Sequence, residues 1–158
     1  MADTRDLSLT ETLARSIGFR LSRLARLRRV SWEHELLDLD LSPGEAATLR
    51  ALGDGEAEGL RALARTLGQD PMTLKRCVDR LESRGLVESV AGEDRRLRSL
   101  RVTRTGRRLA ETVTARALER DAVIARVLGP EDLATFEGLL ARLETHLTDP
   151  PEDSHVDF

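Results

Sequence analysis

The 158-residue sequence has one cysteine, one lysine, one tryptophan and no tyrosine. The lone thiol, Cys77, excludes an internal disulfide, which fits a reducing compartment such as the cytoplasm. No apolar run approaches the roughly 18 residues a membrane-crossing helix needs, so no membrane partner is expected. The opening residues, MADTRDLSLTET, carry acids and no apolar block, and a secretory leader is not expected there. His34 stands between Glu33 and Glu35 but lacks the second histidine that the HExxH zinc motif requires. His155 lies in an acidic tail and is assigned no role. No glycine-rich phosphate loop, nucleophile–base pair or metal cluster stands out. Neither a cofactor, a metal nor an enzymatic activity is therefore expected.

What the sequence does have is charge, unevenly placed. Of 25 basic residues only Lys75 is not arginine. Residues 61–108 hold 13 Lys/Arg against six Asp/Glu, a net +7 within a chain of net −3, leaving −10 elsewhere. A basic centre in an acidic chain is the electrostatic footprint of a polyanion partner. Charge alone fits a solvated, salt-bridged face equally well, and the arrangement of elements has to decide.

The spacing of Leu13, Ile17, Leu21, Leu24 and Leu27 predicts one long helix from Leu7 to about Leu37, with an apolar stripe that needs a covering partner. LSPGEAATLRAL predicts a helix with Ser42 and Glu45 as a capping box and Pro43 in its first turn. LRALARTLGQ is a short amphipathic helix closed by Gly68. In DPMTLKRCVDRLESRG, Asp70 caps, Pro71 opens and Gly85 ends a further helix. Its inward stripe is Leu74, Cys77, Val78 and Leu81, which makes Cys77 a core residue. LVESV and RSLRV read as strands around AGEDRR. A second long helix starts at Thr103 and breaks at Gly129–Pro130, and a last helix runs from Glu131 to Leu147. The fold class is thus mainly α, six helices with a two-stranded β-hairpin.

Two short helices joined through GQDP and followed by a hairpin have the order of a winged helix-turn-helix. A helix fits the major groove of B-DNA, where base edges carry a distinctive donor and acceptor pattern. Pro71 and Met72 can touch thymine methyls, Thr73 can bond phosphate or base, and Lys75 and Arg76 can reach guanine or phosphate. Arg80 shares that outer face, and Asp79 is expected to pair with Lys75 or Arg76 rather than read a base. The hairpin tip carries Asp94, Arg95 and Arg96, with Arg98 on the following strand. Clustered arginines repel one another in isolation but are stabilised beside phosphates and in a narrow minor groove.

These motifs resemble the MarR/SlyA family of bacterial transcription regulators. TLKRCVDRLESRGLVES is similar to that family's recognition helix and next strand, and EDRRLRSLRVTRTGRRL to its wing. The family's Asp-x-Arg falls at Asp94-Arg95-Arg96, and its Leu-Thr-x-x-Gly at Val102-Thr103-Arg104-Thr105-Gly106. The likeness covers about residues 8–147. It implies an intertwined homodimer held by the terminal helices, a pseudo-palindromic double-stranded DNA operator, repression, and release by a small aromatic acid. It further implies that Arg95 enters the minor groove while Asp94 and Arg96 brace the wing. Expected divisions are a dimerisation helix (1–38), a DNA-binding lobe (42–102), C-terminal dimerisation helices (103–147) and a loose tail (148–158). Trp32 and His34 are weaker candidates for an effector pocket, with plain packing the competing role for Trp32. Cys77 departs from the aliphatic residue usual at its position, and the first helix has no cysteine. The alternative function is a winged-helix protein-interaction module that does not bind DNA.

Overall fold

A computed structural model describes residues 9–53, 59–91 and 98–148. The chain divides into two units, residues 1–113 and 114–158. The first contains α1 (Leu9–Arg15), α2 (Ile17–Glu35), a 3-10 turn (Leu37–Leu39), α3 (Pro43–Gly53), α4 (Gly59–Thr66), α5 (Pro71–Ser83), β1 (Val87–Ala91) and β2 (Arg98–Val102). The last helix, α6 (Arg104–Thr148), begins in the first unit and continues into the second.

The six helices and the hairpin follow the sequence expectation, with one difference at the start. The expected first helix is two, because Ser16 takes an extended conformation (φ −64°, ψ 122°) and its hydroxyl accepts from the Phe19 N–H at 3.4 Å. The leucine periodicity runs through this break unaltered, so it carries no sign of it. At the other end the expected break is present: Gly129 leaves helical geometry (φ 76°, ψ 168°) and Pro130 follows. A proline cannot supply the N–H that would continue the ladder.

The core of the first unit is built from α3, α4, α5, the hairpin and the start of α6. Leu49, Leu52, Leu74, Leu81 and Val113 are fully enclosed, joined by Leu63, Val78, Leu86, Leu100 and Val102. Each such leucine contributes about 1.5–3 kcal/mol by leaving water. α2 buries none of its side chains. Its stripe of Ile17, Leu21, Leu24 and Leu27, with Leu13 of α1, lies exposed on the single chain. In the second unit, Val123, Val127, Leu139, Leu143 and Leu147 of α6 are likewise exposed. Among the described residues no helix is long and apolar enough to cross a membrane.

Candidate nucleic-acid interface

α5 owes its boundaries to local chemistry. The Asp70 carboxylate accepts from the Thr73 N–H at 2.9 Å and Pro71 occupies the first turn, where its missing N–H costs nothing. At the other end Gly85 has φ +67°, its N–H donates to the Glu82 carbonyl, and the Leu86 N–H donates to the Leu81 carbonyl, both at 2.9 Å. This pair of bonds is a Schellman close, and the left-handed backbone suits glycine. Between the caps, Leu74, Val78 and Leu81 face the core.

The opposite face presents Pro71, Met72, Thr73, Lys75, Arg76, Asp79 and Arg80, all exposed. Their charges are in different states. Lys75 Nζ lies 2.6 Å from Asp79 Oδ2, a pair exposed on both sides (54% each) and therefore easily exchanged for a phosphate. Arg76 has no acidic partner within salt-bridge distance among the described residues. Arg80 is engaged inward, its Nε 3.0 Å from Glu45 Oε1 and its Nη2 3.1 Å from Asp40 Oδ1. Arg84 reaches the same corner, donating to the backbone carbonyls of Asp40 at 2.5 Å and Leu39 at 3.1 Å. The Ser42–Glu45 capping box forms as expected, the Glu45 carboxylate accepting from the Ser42 N–H at 2.7 Å. Its second oxygen, the one on Arg80, carries no sequence signal, and neither do the contacts of Asp40 and Arg84.

The hairpin is antiparallel, pairing Val87 with Val102, Glu88 with Arg101, Ser89 with Leu100 and Ala91 with Arg98. Val87, Leu100 and Val102 are buried, which fixes the register because a one-residue slip would turn them outward. Asp94, Arg95 and Arg96 lie outside the described residues, and Arg98 is placed by its backbone alone.

Thr103, just past β2, ties the end of the hairpin to both α5 and α6, and the Ser89 hydroxyl of β1 adds a bond to the Glu82 carboxylate of α5. The Thr103 hydroxyl donates to the Gly85 carbonyl at 2.8 Å and accepts from the Gly106 N–H at 3.1 Å. Its own N–H donates to the Leu86 carbonyl at 3.0 Å. Thr103 thus caps α6 while tying it to the end of α5. Gly106 packs so closely that a Cβ there would fall 1.9 Å from the Leu86 carbonyl oxygen.

Trp32 packs half-buried against the core, whereas His34 is exposed. Two positions apart on a helix of ~3.6 residues per turn, they face different ways.

Cys77 is half-buried beside α3, its Sγ 3.0 Å from where a Cβ on Gly44 would sit. Burial raises its pKa above the ordinary 9.0, Glu45 raises it further, and Arg80 acts in the opposite sense. Only the thiolate attacks an electrophile, so a raised pKa leaves less of the reactive form at neutral pH. Iodoacetamide is expected to label Cys77 more slowly than it labels free glutathione at neutral pH, gaining rate only as pH passes the ordinary thiol range. Labelling as fast as glutathione at neutral pH would contradict this.

No family model matches the sequence. Solved structures do. A probable transcriptional regulator from Pseudomonas aeruginosa is 32% identical, over 83% of this chain and 98% of that one, with a TM-score of 0.72. A MarR family transcriptional regulator from Silicibacter pomeroyi is 27% identical, over 85% and 97%, at 0.74. CouR from Rhodococcus jostii, bound to p-coumaroyl-CoA, is 29% identical, over 87% and 95%, at 0.68. The repressor CouR bound to a 23-mer DNA duplex is 25% identical, over 88% and 99%, at 0.75.

Proposed function

Since this chain belongs to the MarR/SlyA family of winged helix-turn-helix transcription regulators, we propose that it binds a pseudo-palindromic operator as a homodimer and represses transcription. The observation that carries this reading is the exposed face of α5. It is capped at Asp70, backed by buried Leu74, Val78 and Leu81, and followed directly by the hairpin. Met72, Thr73 and Arg76 stand toward its N-terminal half, the part of a recognition helix that meets base edges. Arg95 of the wing enters the minor groove, with Asp94 and Arg96 bracing it.

The dimer rests on the uncovered stripes of α1–α2 and the C-terminal part of α6. Soluble monomers rarely leave such continuous apolar faces open. A two-fold axis would set the two recognition helices about 34 Å apart, one turn of B-DNA. The division into a DNA-binding lobe at 42–102 flanked by dimerising segments at 1–38 and 103–147 follows from the same faces. Release by a small aromatic acid, with Trp32 at the edge of its site, completes the reading; binding would raise the melting temperature. The cytoplasm is the compartment this function requires.

Sequences selected from a random duplex pool, followed by titration against salt, test the proposal. Affinity is expected to fall steeply as salt rises, because phosphate contacts release condensed counterions. Arg76→Ala is expected to cost about tenfold on the selected duplex and less on a scrambled one, as loss of a base contact does. Equal losses on both would assign Arg76 to phosphate. No retention of the wild type on any duplex at low salt would favour a protein-interaction module instead.

A further inference from the structure

We propose that Arg80 is a positioning residue of the recognition helix rather than a DNA ligand, and that the α2–α3 corner it grips sets operator affinity without touching DNA. This rests on the DNA-binding reading above.

The corner is an unusual piece of chain. α2 ends at Glu35, a 3-10 turn covers Leu37–Leu39, and Asp40 then takes a left-handed conformation (φ 50°) before α3 begins at Pro43. Among the described residues Asp40 is the only non-glycine with positive φ. Two successive turns of α5 hold this corner. Arg80 bonds the Asp40 and Glu45 carboxylates, and Arg84 bonds the backbone carbonyls of Leu39 and Asp40.

The contrast with Lys75 decides the role of Arg80. Lys75 can leave Asp79 for a phosphate at little cost, because Asp79 is exposed and water takes over. Arg80 is half-exposed (52%), which is why its sequence position reads as outer face, but its partner Glu45 is only 2% exposed. Swinging Arg80 onto a phosphate would strand a buried carboxylate, and a buried charge that loses its partner is strongly destabilising. Glu45 has no other place to turn, since its second oxygen already caps α3 at Ser42. Arg80 therefore stays on the corner when DNA arrives. The tilt of α5, and with it the reach of Met72, Thr73 and Arg76, is tied to the end of α2.

The test uses the full chain and a selected duplex, well below each variant's melting temperature. Asp40→Gly keeps the left-handed backbone while removing the carboxylate that Arg80 holds. Asp40→Gly and Arg80→Ala are each expected to weaken binding by about five- to tenfold with the salt slope unchanged. The double variant should be no weaker than Arg80→Ala alone, since losing Arg80 already removes the Asp40 contact along with the Glu45 one. Asp40→Asn, which keeps an oxygen acceptor and tolerates positive φ, should restore near-wild-type affinity. The proposal is overturned if Arg80→Ala lowers the salt slope by about one, as loss of a phosphate contact does. Unchanged affinity in Asp40→Gly, or multiplying losses, would also overturn it. Should the wild type bind no duplex, the functional reading falls on its own. The positioning role is then read from amide NMR shifts of Met72–Arg76 in Asp40→Gly without DNA: movement supports it and none overturns it.

Discussion

Gly106→Ala is expected to cost about 3–5 kcal/mol of folding stability, a large share of the ~5–15 kcal/mol that holds an ordinary domain folded. The new methyl would sit 1.9 Å from the Leu86 carbonyl oxygen and 2.8 Å from both the Leu86 carbonyl carbon and Val102 Cγ2. Backbone has no rotamer with which to yield. Relief requires the first turn of α6 to lift away, and that breaks the bonds made to Leu86 by the Thr103 N–H and hydroxyl. Overpacking of this kind costs ~1–3 kcal/mol, and each lost hydrogen bond adds ~1 kcal/mol. Gly138→Ala provides the control: it lies in α6 with nothing within 4 Å of its added carbon. It should stabilise by about 0.5–1 kcal/mol through helix propensity. Urea midpoints for the two variants must move in opposite directions; a Gly106→Ala loss below ~1 kcal/mol would contradict the packing.

Arg95→Ala carries the second large effect, on DNA rather than on folding. The described strands pair Ala91 with Arg98. Residues 92–97 join them, with three of the hairpin's charges at Asp94, Arg95 and Arg96. An arginine inserted in a narrow minor groove gains from the strong negative potential there. Its removal is expected to weaken the selected duplex by about 10- to 100-fold, in the range of a good direct contact. The salt slope should fall by about one. Dimer mass in sedimentation and the melting curve should stay as in the wild type, because the strands are anchored in the core by Val87, Leu100 and Val102. An affinity equal to wild type at fixed salt would remove Arg95 from the groove.

Much of the stretch from α3 to β2 was legible because its signals are local. Asp70, Pro71 and Gly85 each act within a few residues, so the limits of α5 follow from chemistry that sequence order preserves. The Ser42–Glu45 capping box and the break at Gly129–Pro130 were readable for the same reason. The engagement of Arg80 was not, since its partner Asp40 is 40 positions away and an outward helical position looks alike with or without a distant acid. The break at Ser16 escaped because Leu13, Ile17 and Leu21 keep their spacing across it. Periodicity also announced the stripe on α2 without saying which molecule covers it; on the single chain it stays bare. The close approach at Gly106 was visible only as a motif, and its cause, the Leu86 carbonyl, is a tertiary fact.

The pairing of Lys75 with Asp79 has a practical corollary. Lys75 supplies the sequence's only side-chain amine, and it stands half open on α5. Amine-directed reagents therefore have a single side-chain target, on the face assigned to the operator. Tethering the protein to a sensor chip by carbodiimide coupling would mask what the chip is meant to measure. A succinimidyl reagent is expected to do the same in solution, and bound duplex should shield Lys75 from it while leaving the terminal amine open.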